Sequence, residues 1–202
     1  MKNTNRFKPV EAALLIALSL ALLSGAWASA AGGHIADGLV RLHVVAASDS
    51  QAEQAVKLAV RDSVLEYLGP RLEGAGGAGE AREIISANLG GVERAAESAA
   101  GGRVVSVALG EEYFPTRDYG SFRLPAGRYE ALRVTIGPGG GHNWWCVVFP
   151  PLCLSPAGAE AAFSALDEGT RSLIAEPSGG GVAFRFKLVE LWGGLMEALG
   201  LG

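Results

Sequence analysis

The sequence predicts an α+β fold: a two-layer domain with a mainly antiparallel sheet packed against helices, preceded by an N-terminal signal or anchor segment. Three observations predict it. A strand-like run at Leu39 to Ala46 leads straight into a strong helical pattern. Two weaker helical patterns follow, and then β-rich runs succeed one another from 103 to 149. At 202 residues the chain has the length of one ordinary domain. We divide it into a signal peptide or membrane anchor (1–30), an α+β core (39–156) and a C-terminal helical extension (157–202).

Lys2, Arg6 and Lys8 precede Ala12 to Ala31, which carries no charge, and "SGAWASAA" supplies small residues at its exit. A basic start, an apolar stretch and a small-residue exit describe a secretory signal. Twenty apolar residues also just span a hydrocarbon core, so an uncleaved anchor stays open. Removing residues 1–30 takes the formal charge from −4 to −6, because Lys2, Arg6, Lys8 and Glu11 go with them. A mildly acidic domain with scattered Lys and Arg is a poor nucleic-acid binder, since phosphate neutralisation needs clustered cations.

In "LVRLHVVA" Val40, Leu42 and Val44 alternate with Arg41 and His43, the pattern of a strand with one wet face, and His43 reads as an ordinary surface residue. Ser48, Asp49 and Ser50 are cap candidates for the next helix, with Ser50 and Glu53 in capping-box spacing. Asp49 is read most simply as such a cap. Ala52, Ala55, Val56, Ala59, Val60, Val64 and Leu68 recur at three- and four-residue steps, and Gly69-Pro70 is expected to end the helix.

The flexible "GAGGAG" at 74–79 leads to a helix with Ala81, Ile84, Ile85 and Leu89 on one face. Gly90-Gly91 is expected to interrupt it before a third helix over Val92 to Ala100. Strands are expected at 103–109, 129–136 and 144–149, with "GPGGGH" as a hairpin connection between the last two. A small-residue helix is expected over Ala157 to Asp167, then a loop through "AEPSGGG". The tail carries Leu188, Leu191, Trp192, Leu195, Met196 and Leu199 at helical spacing. It suits docking on the domain, a membrane surface or a partner groove.

"NWWCVVFPPLC" concentrates the chemistry-bearing residues. Cys146 and Cys153 are the only cysteines. An even count in an exported chain suggests a bridge, closing an eight-residue loop, while two buried thiols are the alternative. A nucleophilic Cys146 with His142 as base and Asn143 as orienter lacks a supporting contact pattern. Zinc on His142, Cys146 and Cys153 would lack a fourth ligand. "GPGGGH" is followed by an apolar strand, with no helix N-terminus to receive a phosphate. No catalytic site, metal site or cofactor is recognisable.

Contact is the better role. Trp144 and Trp145 are adjacent on a strand and face opposite sides, with Cys146 on the side of Trp144. One ring is expected in the sheet–helix interface and the other exposed, or half-exposed, as a binding anchor, the alternative being that both are buried. Phe149 and the loop with Tyr113, Phe114, Arg117, Asp118 and Tyr119 complete the candidate contact set. The three aromatic residues of that loop pack it down or present it. Arg117 and Asp118 are a solvated turn pair or a partner contact.

"RLHVVAASDS" running into a helix with "VRD", then "FPTRDYGSFRLPAGRYEALRVTIGPGGGHNWWCVVFPPLC", and a terminal "VELW" resemble the stage II sporulation protein R family of endospore-forming bacteria. The resemblance covers roughly 39–154 and the tail. It implies a protein made in the forespore and exported into the space between two membranes. There it would activate a membrane-embedded aspartic protease of the mother cell, from the extracytoplasmic face, and so trigger processing of a sigma factor precursor. It implies a signalling ligand and not an enzyme, with membrane contact open through the N-terminal segment or the tail. The rival readings are an exported cysteine-dependent hydrolase and a non-catalytic structural envelope protein.

Overall fold

The computed structural model describes residues 9–119, 122–151, 168–174 and 191. The expected helix over 157–167, the loop through 175–181, Cys153 and all of the tail but Leu191 lie outside the described residues. The fold is α+β, with a mixed sheet packed against helices.

Helix α1 spans Pro9–Asp37 and contains the charge-free stretch. It is long and apolar enough to cross a membrane, by length and composition. It does not stop where a leader would be cut but continues to Asp37, and Ile35 in its last turn is fully buried. Strand β1 (Val40–Val45) follows after two residues. Helix α2 (Gln51–Leu72) starts at Ser50, whose hydroxyl accepts from the Glu53 amide at 3.3 Å. It runs through Gly69 and Pro70, which were expected to end it. Proline is tolerated there because only one backbone bond is lost, one turn from the C-terminus, and the Glu73 amide still reaches the Gly69 carbonyl at 3.1 Å.

Helices α3 (Ala78–Ala87) and α4 (Leu89–Ala99) meet at Asn88, so the break precedes Gly90-Gly91. Gly91 has a packing reason instead. A Cβ there would run into the ring and hydroxyl of Tyr67, so α2 and α4 approach this closely only over a glycine.

Strands β2 (Val105–Phe114), β5 (Gly127–Ile136) and β6 (Asn143–Phe149) join β1 in the order β2-β5-β1-β6. The β2–β5 and β1–β6 pairings are antiparallel and β1–β5 is parallel. The expected hairpin at 137–142 is therefore corrected. That loop carries the chain from β5 past β1 to the edge position, and β5 and β6 never pair. Two-residue strands β3 (Arg117–Asp118) and β4 (Arg123–Leu124) form a separate ribbon, and helix α5 covers Glu168–Ile174.

The sheet has a core on each face. On the first, Val40, Leu42, Val44, Leu132, Val134 and Ile136 pack against Val60, Val64, Leu68, Ile85 and Val92 of the helices. On the second, Leu39, Phe114, Tyr129, Ala131 and Val147 are roofed by Ile35 of α1, Phe122 and Leu124 of the 115–126 segment, and Ile174 of α5. Every residue of β1 is buried, so the wet face expected for Arg41 and His43 is corrected: Arg41 is 0% exposed and His43 5%. A central strand has no solvent face when both sides of the sheet are covered.

Candidate functional site

The second face holds most of the polar side chains that the fold buries. On β1, Arg41 and His43 point to it, and the register sets Arg41 against Ala131 and Val147, and His43 against Arg133 and Trp145. His43 Nδ1 lies 2.8 Å from Glu112 Oε1 on β2, and the same oxygen accepts from Arg133 Nη1 at 2.7 Å. His43 Nε2 lies 2.9 Å from Asn143 Oδ1. With the Asn143 oxygen in that place both ring nitrogens donate and the ring is an imidazolium. With the amide reversed, a neutral Nδ1–H ring fits as well. The His43 ring also lies 5.6 Å from that of Trp145.

Arg41 is more unusual. Its guanidinium sits 4.0 Å above the Phe114 ring and 4.9 Å from that of Tyr129, and Nη2 donates to the Tyr119 hydroxyl at 2.6 Å. Nε and Nη1 are buried without an acceptor, and no carboxylate pairs with this side chain among the described residues. Burial therefore pushes the Arg41 pKa down, the Tyr119 and Tyr129 hydroxyls oppose that shift, and Arg117 adds to it by repulsion. Burying an ion costs several kcal/mol. Desolvated cation–π contacts return about 2 kcal/mol or somewhat more. Burial also raises the Tyr119 and Tyr129 pKa values, against the pull of Arg41.

The sequence-derived contact residues divide between the faces. Phe114, Arg117, Tyr119 and Trp145 converge on the second face around Arg41 and His43. Arg117 lies 3.8 Å over the Trp145 ring, and Tyr119 stacks on Phe122 at 4.9 Å with the planes 15° apart. Trp144 turns to the helix face, where Arg61 lies 4.4 Å over its ring. The two rings thus lie on opposite sides as alternation requires, and both are half-buried, Trp144 against the helix-side core and Trp145 against the second. Phe114 is fully buried and serves as a wall of the second core, not as a contact surface. Tyr113 is half-buried at the end of β2. Asp118 pairs with Arg123 at 2.7 Å across the β3–β4 ribbon. Phe149 packs toward the helix-side core, past a register irregularity between Val40 and Arg41.

Cys146 is disulfide-bonded, and the one other cysteine of the sequence, Cys153, lies outside the described residues. His142, the base considered for a Cys146 nucleophile, is exposed and held by Asp49, which accepts from its backbone amide at 2.6 Å and faces its ring. Asp49 is thus a tether for the 137–142 loop, and the cap is Ser50. Gly141 lies against the Ser48 backbone where no Cβ fits, and its amide donates to Ala46 at 2.9 Å, so two loops close over the same end of the sheet. Lys57, 5% exposed, donates to the His142 carbonyl at 3.1 Å, and burial lowers its pKa. Among the described residues no group of three or more His, Cys, Asp or Glu is placed to hold a metal.

Sequence reasoning missed Arg41, His43, Glu112 and Arg133 as a cluster. Charged residues at alternate positions of a strand whose other positions are Val and Leu were the available signal.

The family described as "Stage II sporulation protein R (spore_II_R)" matches residues 36–158. These run from the last turn of α1 through every strand of the second-face site. The protein named "Stage II sporulation protein R" of Bacillus subtilis (strain 168) is 38% identical over 123 residues, which are 59% of this chain and 55% of that protein. The aligned stretch thus spans little more than half the relative's length. No solved structure matches the chain. With more than half of its length matched to the family, and with the matched stretch containing every strand of the sheet and the Arg41–His43 cluster, the chain belongs to the stage II sporulation protein R family.

Proposed function

We propose that this protein is an exported sporulation signal that activates a membrane-embedded aspartic protease by binding its extracytoplasmic face, so that a mother-cell sigma factor precursor is processed. The match to the sporulation family over residues 36–158 carries the reading. Helix α1 supports it, since an apolar N-terminal helix suits a signal or an anchor. The Cys146 disulfide supports it against a thiol hydrolase, because a bonded sulfur is no nucleophile. On this reading the Trp145–Arg117–Tyr119 patch is the partner contact: half-buried aromatic and arginine side chains are the types that dominate interface energetics. A ligand activates only through its higher affinity for the active state, so such a patch must fit that state better than the resting one.

The test is reconstitution of the full chain with the protease and its precursor in vesicles. Precursor cleavage should rise with added protein and fall on Trp145→Ala, while the variant stays folded by circular dichroism. Folded wild-type protein that leaves cleavage unchanged overturns the reading.

A further inference from the structure

We propose that Arg41, Arg117 and Tyr119 form a receptor for a single carboxylate group. Three observations carry the assignment. First, Arg41 is 0% exposed, yet its Nε and Nη1 hydrogens meet no acceptor, and among the described residues the one hydrogen-bond acceptor on its guanidinium is the Tyr119 hydroxyl at 2.6 Å. Phe114 and Tyr129 face the guanidinium at 4.0 and 4.9 Å, and ring faces do not accept the in-plane hydrogens that an oxyanion would take.

Second, a further cation stands beside it. Arg117 lies flat over Trp145, and its own Nε is buried without an acceptor. The neighbouring acids are engaged elsewhere: Asp118 pairs with Arg123, and Glu112 is shared by His43 and Arg133. Two guanidinium groups next to one another, one of them in the protein interior, repel each other unless an anion is shared between them.

Third, Tyr119 is the half-exposed part of this group. It covers Arg41, and among the described residues its hydroxyl makes only a long 3.4 Å bond to the Trp145 carbonyl beyond the one from Arg41. On this assignment a ligand reaches Arg41 by displacing this one ring. The walls are flat aromatic rings, which suits a planar monoanion. A tetrahedral phosphate brings more charge to desolvate beside the same buried guanidinium.

The inference does not rest on the proposed function. A chain that bound a carboxylate here and left the protease idle would uphold the site and overturn that reading.

The experiment uses the full chain in detergent micelles, with acetate as the probe at constant ionic strength. Tryptophan fluorescence and thermal unfolding are followed, and chloride and inorganic phosphate serve as comparisons. Acetate should give a saturable change in both signals, and chloride none. Arg117→Gln, whose side chain is only half-buried, should weaken the acetate response by about tenfold or more, the loss expected for a charge-assisted hydrogen bond. Arg41→Met should abolish the response; if that variant does not fold, Arg117→Gln alone decides. N-acetylaspartate amide that competes with acetate marks a protein-borne carboxylate as the natural ligand, and its exclusion marks a small free one. No saturable acetate response in folded wild-type protein overturns the proposal. So does an unaltered response in Arg117→Gln, or binding of phosphate in place of acetate.

Discussion

The two adjacent glycines of α4 should respond to alanine with opposite signs. At Gly90 a new Cβ meets only the end of Arg94, at 3.6 Å, an ordinary contact with a flexible side chain. The substitution should stabilise by up to about 1 kcal/mol, the helix preference of Ala over Gly. At Gly91 the same methyl lands on Tyr67. That ring is not free to yield: its hydroxyl donates to Asn88 Oδ1 at 3.3 Å, and Arg71 lies 3.6 Å over its face. Moving it forfeits about 1 kcal/mol of hydrogen bond. The stacked cation is worth another ~0.5–1 kcal/mol, and overpacking costs about 1–3 kcal/mol. After the helix preference is set against these, Gly91→Ala should destabilise by roughly 2 kcal/mol. In a chain of this size that is a melting point lower by about 4–8 °C. Thermal unfolding of the full chain in detergent measures both variants. Adding Tyr67→Ala to Gly91→Ala should then cost less than Tyr67→Ala costs in the wild type, the mark of a direct clash. A Gly91→Ala protein as stable as Gly90→Ala would show that α2 and α4 do not pack as closely as described.

Three further outcomes are expected. Cys146→Ser and Cys153→Ser should each lower stability by about 2.5 kcal/mol, the chain-entropy value for an eight-residue loop, and to the same extent; unequal losses in chemical denaturation would speak against a shared bond. Lys57 has a pKa lowered by burial, so the folded chain releases this proton before the unfolded one. Wild-type stability should therefore rise relative to Lys57→Met as pH climbs from the folded-state value toward about 10.4, the free lysine value, and show no such trend below it. Denaturant midpoints at pH 7 and pH 10 read the difference, and a constant or opposite trend refutes it. Ile35→Ala should cost about 2–4 kcal/mol, since a fully buried side chain is lost from the second core; a negligible loss would mean that the last turn of α1 is not part of the folded domain.

How much of this was legible in the sequence depended on how far apart the interacting residues are. The start of α2 at Ser50 was readable because the cap and its partner Glu53 are three residues apart. The strands at 129–136 and 144–149 were readable because β-rich runs bounded by glycine need no distant information. The character of β1 was not. Arg41 and His43 alternate with valine and leucine like residues of a solvated face, and their partners Tyr119, Glu112 and Asn143 lie 78, 69 and 100 positions away. The 137–142 loop misled for a related reason. Its glycines fit a tight turn, and nothing local reveals that β1 occupies the place between the strands it connects. At Trp144 and Trp145 alternation assigned opposite faces correctly. The degree of burial was set by Arg61 and Arg117, which come from elsewhere in the chain.

The placement of the second face bears on how such a chain could signal at a membrane. The first face is closed by α2, α3 and α4, so an approaching protein meets the outer surfaces of helices there. Among the described residues, the second face is closed at one end only. Ile35 and Leu39 roof the Arg41 end, while Arg133 and Asn143 at the other end reach solvent beside half-buried Trp145. Helix α1 joins this same face. Its twenty charge-free residues, Ala12 to Ala31, amount to about 30 Å of helix, the thickness of a hydrocarbon core. Between that stretch and the docked Ile35 lie Gly32, Gly33 and His34, less than one helical turn. While α1 remains attached and in a bilayer, the roofed end of the second face is held next to the membrane surface. On the proposed function, Arg117, Tyr119 and Trp145 would then stand within reach of a membrane-embedded protease. Cleavage before Gly32 would leave the Ile35 anchor in place and free the same surface to cross to an opposing membrane. Either way the docked turn at Ile35 is retained, and the contact surface of the proposed function is the same.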